Sequence, residues 1–204
     1  KRDIALFYPD TAMMLEKQKR ADMYSSFSAM RDFSDYLFAD DLTVKDGILN
    51  NVKALVLTVG GYYRHETLEK FEDFVKDGGI IVGIGIDKLL SIQGESHLER
   101  LFCETGIKQI GKGETLFIKE NLGVSGGLCD RDIDILVFDK TADFMKRHGI
   151  YISDGKRDRL YTAEKGGGLL VMNYSKHGIS RELSLPGGEK KTVSLGDSQI
   201  AFIK

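Results

Sequence analysis

Three stretches of the chain are apolar almost without a break: residues 3–8 (DIALFY), 54–59 (ALVLTV) and 80–85 (IIVGIG). Each stops at a chain-bending residue: Pro9, Gly60-Gly61 and Gly85. Runs of this length, apolar throughout and closed by turn residues, predict strands buried on both faces. Between and beside them the period changes. Leu68, Phe71, Phe74 and Val75 fall at helical spacing and are followed by Gly78-Gly79, which predicts a helix with a C-terminal glycine stop. Met23, Phe27, Met30, Phe33 and Leu37 predict helix over residues 13–37, broken near Ser25-Ser26. A further short amphipathic helix is expected over 96–107, ending at Gly106.

Buried strands alternating with amphipathic helices mean βαβ units. The expected core is therefore flavodoxin-like: three α/β/α layers around a mostly parallel sheet. After about Leu160 the pattern becomes period two. Ile179, Leu183, Leu185, Val193, Leu195, Ile200 and Phe202 alternate with polar residues, and Pro186-Gly187-Gly188 and Gly196-Asp197 supply turns. That predicts a small antiparallel β-domain with one wet face. The expected division is 1–155 for the α/β domain and 156–204 for the β segment.

Composition adds mainly exclusions. A chain of 204 residues, 42% hydrophobic and 29% charged, has ample apolar mass for a core. Its net charge of −2 offers no basic field for nucleic acid. No apolar run approaches the roughly 20 residues of a membrane-spanning helix. The two cysteines, Cys103 and Cys129, have neither a metal-binding spacing nor a disulfide framework. No metal and no cofactor is expected. Lys1 is not an initiator Met, and the chain is expected to be processed or cut from something larger, so that a cytoplasmic or a secreted location depends on a missing N-terminal part.

The most pointed stretch is Val82-Gly83-Ile84-Gly85-Ile86-Asp87. A strand, a tight Gly-containing bend and an expected helix make the outline of a nucleophile elbow. Acyl transfer needs Ser or Cys at its apex, and Gly85 stands there. Asp87 replaces the glycine that should close the motif. No His-x-Glu pair follows: His148 and His177 lack the carboxylate two places on, and His65 precedes the elbow. The elbow, marked by Gly83, Gly85 and Asp87, is expected to be degenerate, with no catalytic residue. GxG after a strand also fails as a dinucleotide fingerprint, because Lys88 occupies the third glycine position. Tyr62, Tyr63, Arg64 and His65 follow Gly60-Gly61 at the carboxyl end of a strand, where open α/β sheets bind ligands; the two tyrosines are expected to be at least partly exposed. They are the candidates for a ligand contact or an interface. The carboxylates of Asp40-Asp41 are expected in a solvated turn, and Asp132 and Asp134 on the polar face of a strand.

The order of these elements resembles a family. IALFYPDTAMM is similar to the first strand and loop of the class I glutamine amidotransferase-like domain of several β-galactosidase families, the trimerisation domain. Residues 52–85 resemble its middle, and GGLLVMNYSKHGISRELSLPGGEKKTVSLGDSQIAFIK resembles the C-terminal β-domain of the same glycoside hydrolases. The resemblance implies a domain that has lost its nucleophile and serves assembly. It also implies that catalysis belongs to an upstream (β/α)₈ barrel with two Glu residues, which 204 residues already assigned to other elements cannot contain. The implied partners are copies of the chain, as a trimer, or that barrel, with carbohydrate as the ligand class. A stand-alone sugar- or small-ligand-binding module, and an amidotransferase-like hydrolase with unorthodox residues, are the competing readings.

Overall fold

A computed structural model describes residues 2–31, 35–121, 131–152, 160–185 and 188–204. In chain order the α/β part comprises β1 (Ile4–Phe7), α1 (Asp10–Leu15), α2 (Lys19–Arg31), β2 (Leu37–Ala39), α3 (Asp41–Lys45), β3 (Ala54–Leu57), β4 (Gly61–Tyr63) and α4 (His65–Lys76). It continues through β5 (Ile80–Ile84), β6 (Leu89–Ser91), α5 (Leu98–Leu101), β7 (Gly106–Ile110), β8 (Gly113–Ile118) and α6 (Arg131–Arg147). Six strands form one sheet in the order β2-β1-β3-β5-β8-β7. All its pairings are parallel except β7 against β8. The pairing of Ala54 with Ile80 is parallel, as the unbroken apolar runs require.

Within each run, successive side chains go to opposite faces, so one strand feeds two cores. Ile4, Leu6, Val56, Val82 and Ile118 pack with Met30 of α2 and with Val137, Phe144 and Met145 of α6. Ala5, Phe7, Leu55, Leu57 and Ile81 pack with Leu68, Phe71 and Val75 of α4 and with Leu101 of α5. Helices therefore cover both faces. A separate two-stranded parallel pair, β4 with β6, lies beyond the carboxyl ends of β3 and β5.

The C-terminal part is antiparallel throughout. β9 (Leu160–Lys165) and β13 (Ile200–Ile203) flank β10 (Gly168–Asn173), and β11 (Ile179–Ser184) pairs with β12 (Lys190–Leu195). Leu169, Val171, Leu183, Val193 and Leu195 form a core of their own there. The expected boundary at 155–156, the turn residues Pro186 and Gly187, and Cys129 lie outside the described residues.

Four expectations are corrected. The first helix breaks between Leu15 and Lys19, and Leu37 opens a strand. A three-residue edge strand is too short for its period to stand out from the helix before it. Over 96–107 only Leu98–Leu101 is helical; Gly106, at φ +90°, starts a strand whose exposure alternates. Asp132 and Asp134 belong to helix α6, although Ile133, Ile135 and Val137 alternate like a strand. The deciding stripe lies further on: Val137, Phe138, Thr141, Phe144 and Met145 are all buried, at i, i+1, i+4, i+7 and i+8. Finally, the bend at Gly85 leads into strand β6, with no helix after it.

Candidate functional site

The bend after β5 is built around a glycine. Gly85 has φ +61°, a left-handed value that suits glycine, and its N–H donates to the Ile118 carbonyl at 2.8 Å. A side chain here would collide with a neighbour: a Cβ would lie 1.9 Å from Oδ1 of Asn121. Asn121 thus fills the space that a side chain at residue 85 would need. Gly83 is equally constrained, since a Cβ would approach the Phe102 ring to 2.7 Å. The Asp87 carboxylate turns to Lys19, with both oxygens 3.1 Å from Nζ. Gly85, Asp87, Phe102, Cys103, Lys119 and Asn121 border an open cleft of about 550 Å³ at this end of the sheet. The Cys103 thiol donates to the Thr105 carbonyl at 3.1 Å.

The run from Tyr62 to His65 carries β4 into α4, and it does not form one cluster. Tyr62 is half-buried beneath the Lys88 ammonium, which sits 4.6 Å from its ring centre. Tyr63 corrects the expectation of exposure: it is 1% exposed, stacked on Phe7 at 5.5 Å, and its hydroxyl donates to the Val59 carbonyl. Burial pushes that phenol well above its usual range. Strand β4 turns Tyr62 out and Tyr63 in, a period that a loop reading of "GGYYRH" hid. Arg64 caps α4 by its backbone and sends Nε to within 3.6 Å of Asp41. His65 faces elsewhere: Nε2 is 3.4 Å from Glu69, and Nδ1 is 3.6 Å from Glu95.

Asp41 is the second correction. Asp40 does sit in a turn: it caps α3, accepting from the Thr43 N–H at 2.8 Å, and that bond holds its carboxyl below the usual range. The next carboxylate is inside the protein, at 4% exposure. Its oxygens accept from Thr11 of α1 and Thr67 of α4, each at 2.6 Å. Asp41 thus ties three helices together, and it borders a smaller cleft of about 210 Å³ with Arg64 and Lys70. The capping signature D-x-x-T was readable in the sequence. The neighbour's burial depends on contacts from residues 30 and 26 positions away.

Asp10 shares this corner. Burial first, and then hydrogen bonding and repulsion from Asp41, raise its carboxyl to about 7. A carboxyl raised above its unfolded value contributes stability below about pH 4, and that contribution is lost as pH rises through about 7. Asp10→Asn should therefore flatten the decline in stability between those limits. At pH 8 the variant should gain on the order of 1 kcal/mol; the figure is modest because Asp10 keeps part of its solvent contact. Urea titrations at pH 5 and pH 8 measure this directly; equal slopes for both proteins would dismiss it.

No family model matches the chain, and no curated protein matches it. Solved structures do. The whole chain superposes on Gan42B, a GH42 β-galactosidase from G. stearothermophilus, with a TM-score of 0.60 and 12% identity. It superposes on the β-galactosidase of Bacillus circulans sp. alkalophilus over 99% of its length (TM-score 0.62, 12% identity). The β-galactosidase of the Antarctic haloarchaeon Halorubrum lacusprofundi matches over the full chain (TM-score 0.64, 13% identity). The chain spans about 40% of each of these larger proteins: 40%, 41% and 40% in turn. At such identities the likeness is one of fold, and it covers the α/β part and the β part together. No helix among the described residues is long and apolar enough to cross a membrane.

Proposed function

We propose that this chain is a non-catalytic assembly module of a β-galactosidase-like glycoside hydrolase: a degenerate amidotransferase-like domain followed by a small β-domain. The reading rests above all on Gly85. A bend at a strand's carboxyl end with glycine at its apex, and with Asn121 where a side chain there would stand, has no nucleophile to offer. The fold likeness over the full chain, at about 40% of each larger protein, supports the same reading. The module self-associates, as a trimer, or docks on a catalytic barrel. Half-buried Tyr62 offers the large amphipathic side chain that interfaces favour.

The test is direct. The purified chain should hydrolyse neither a nitrophenyl galactoside nor glutamine. Sedimentation over a wide concentration range should show association, and Tyr62→Ala should weaken it. Turnover of either substrate would sink the proposal. So would a strict monomer that also fails to bind a barrel supplied in trans.

The cleft beside Gly85 favours a second reading, a sugar-binding module. Chemical shifts of the Asn121 and Lys119 amides on adding galactose decide it: movement supports binding at this cleft, and unmoved amides exclude it.

A further inference from the structure

His97 presents an anomaly. It is fully buried, and its Nε2 is one of two buried side-chain polar atoms among the described residues without a hydrogen-bond partner. Leaving such an atom unsatisfied carries its full desolvation cost. Its other nitrogen is well served, because Nδ1 lies 2.8 Å from Oε1 of the buried Glu72. A carboxylate accepts, so Nδ1 is the donor, and the neutral tautomer that fits this bond carries its lone pair on Nε2. The lone pair has two neighbours. Oε2 of Glu95 lies 3.8 Å from it, and the ring of His65 stands 5.7 Å from that of His97, centre to centre. One donor atom each from His65, Glu95 and His97 lies within 4.8 Å of the other two.

The backbone arranges this deliberately. Ser91 and Glu95 close a tight turn through the Ser91 N–H and hydroxyl, and Ser96 bridges back to Leu90. Glu95 and His97 flank the bridged Ser96 and turn to the same side, with Oε2 of one 3.8 Å from Nε2 of the other. They face His65 on the first turn of α4. Each donor also has an outer partner on its far atom. Glu72 holds Nδ1 of His97, Glu69 stands 3.4 Å from Nε2 of His65, and Arg100 grips Oε1 of Glu95 at 2.7 Å. A carboxylate behind each imidazole is the support that metal-bound histidines use to fix their tautomer and ring direction.

We infer that His65, Glu95 and His97 bind a divalent transition-metal ion of the zinc class. The ligand atoms would be Nδ1, Oε2 and Nε2 in that order. Tetrahedral zinc with bonds of about 2.0–2.1 Å sets its ligand atoms about 3.3 Å apart, so the 3.6 and 3.8 Å pairs contract by a few tenths of an ångström, and the two imidazole nitrogens, within 4.8 Å of each other, close in as well. The two outer donors can supply it: the side chain of His65 is 35% exposed and that of Glu95 49%. The same exposure leaves a fourth position open to solvent. The ion satisfies the orphaned nitrogen and fastens the β6–α5 connection to the start of α4. The site is independent of the assembly reading above.

Chelator-treated chain, titrated with Zn²⁺ by calorimetry and with Co²⁺ by visible absorption, tests the assignment. One ion per chain is expected, with proton release and the intense visible bands of a four-coordinate Co²⁺ site. His65→Ala and Glu95→Gln, both at partly exposed positions, should each weaken binding about tenfold or more while leaving the circular dichroism unchanged. Glu69→Gln, which touches only the outer atom of His65, should weaken it less. Zn²⁺ should raise the melting temperature of the native chain and not that of the His65→Ala, Glu95→Gln double variant. Binding that is absent, or unaltered in the double variant, overturns the assignment; the latter result would put the ion on other histidines.

Discussion

Phe71→Ala should lower the unfolding free energy by about 3–5 kcal/mol, the largest single effect expected in the α/β domain. Phe71 is fully buried on the inner face of α4. Its ring meets Phe7 of β1 edge-on at 5.0 Å and an 87° angle, and Tyr63 of β4 at 6.4 Å. Such geometries add to the area effect, because the positive ring edge meets a negative face. Truncation removes the ring from both partners at once, and the sheet backbone behind Phe7 cannot collapse into the space. Urea unfolding should show a lower midpoint with an unchanged slope. A cost below about 1 kcal/mol would mean that this aromatic trio is not a keystone of the second core.

Asp41→Ala comes next, with an expected loss of about 2–3 kcal/mol near pH 5. The substitution leaves the hydroxyls of Thr11 and Thr67 without their acceptor and unties α1 from α4. The ion pair with Arg64 adds little, since that guanidinium is half in water. The cost should be smaller at pH 8, for a reason that can be measured separately. Asp41 is part of what raises Asp10, so removing it lets the Asp10 carboxyl ionise without repulsion. The pH dependence between about 4 and 7 should therefore flatten together with the loss. Double-mutant analysis with Asp10→Asn reads the coupling between the two; additive effects would show that the carboxyls do not sense each other.

The sheet was legible because its signal is local. Three uninterrupted apolar runs, each closed by Gly or Pro, can be read without knowing what they touch, and they became β1, β3 and β5. The glycine at the bend after β5 was legible for the same reason: the absence of a side chain at residue 85 is a fact of sequence. Tyr63 and Asp41 were misread because burial is decided from a distance. Phe7 and Thr11 come from the first dozen residues and cover them. The grouping of His65 with Glu95 and His97 had only one local trace, the i, i+2 spacing of Glu95 and His97. That spacing carries meaning only once the bridge from Ser96 to Leu90 fixes the turn between them.

The parallel register also dictates an order of events. Ile4 pairs with Ala54, and Ala54 with Ile80, so β1 has no partner in the large sheet until a long connection has closed. The pairings of β9 with β10 and of β11 with β12 close through short turns. Loop entropy slows the first kind of contact and hardly touches the second. Refolding should accordingly run in two tempos, with the C-terminal hairpins protected from hydrogen exchange early and the amides of β1 and β3 late. During synthesis the order of emergence inverts that ranking: the strands that pair slowly leave the ribosome first and wait, apolar and unpaired, for their neighbours.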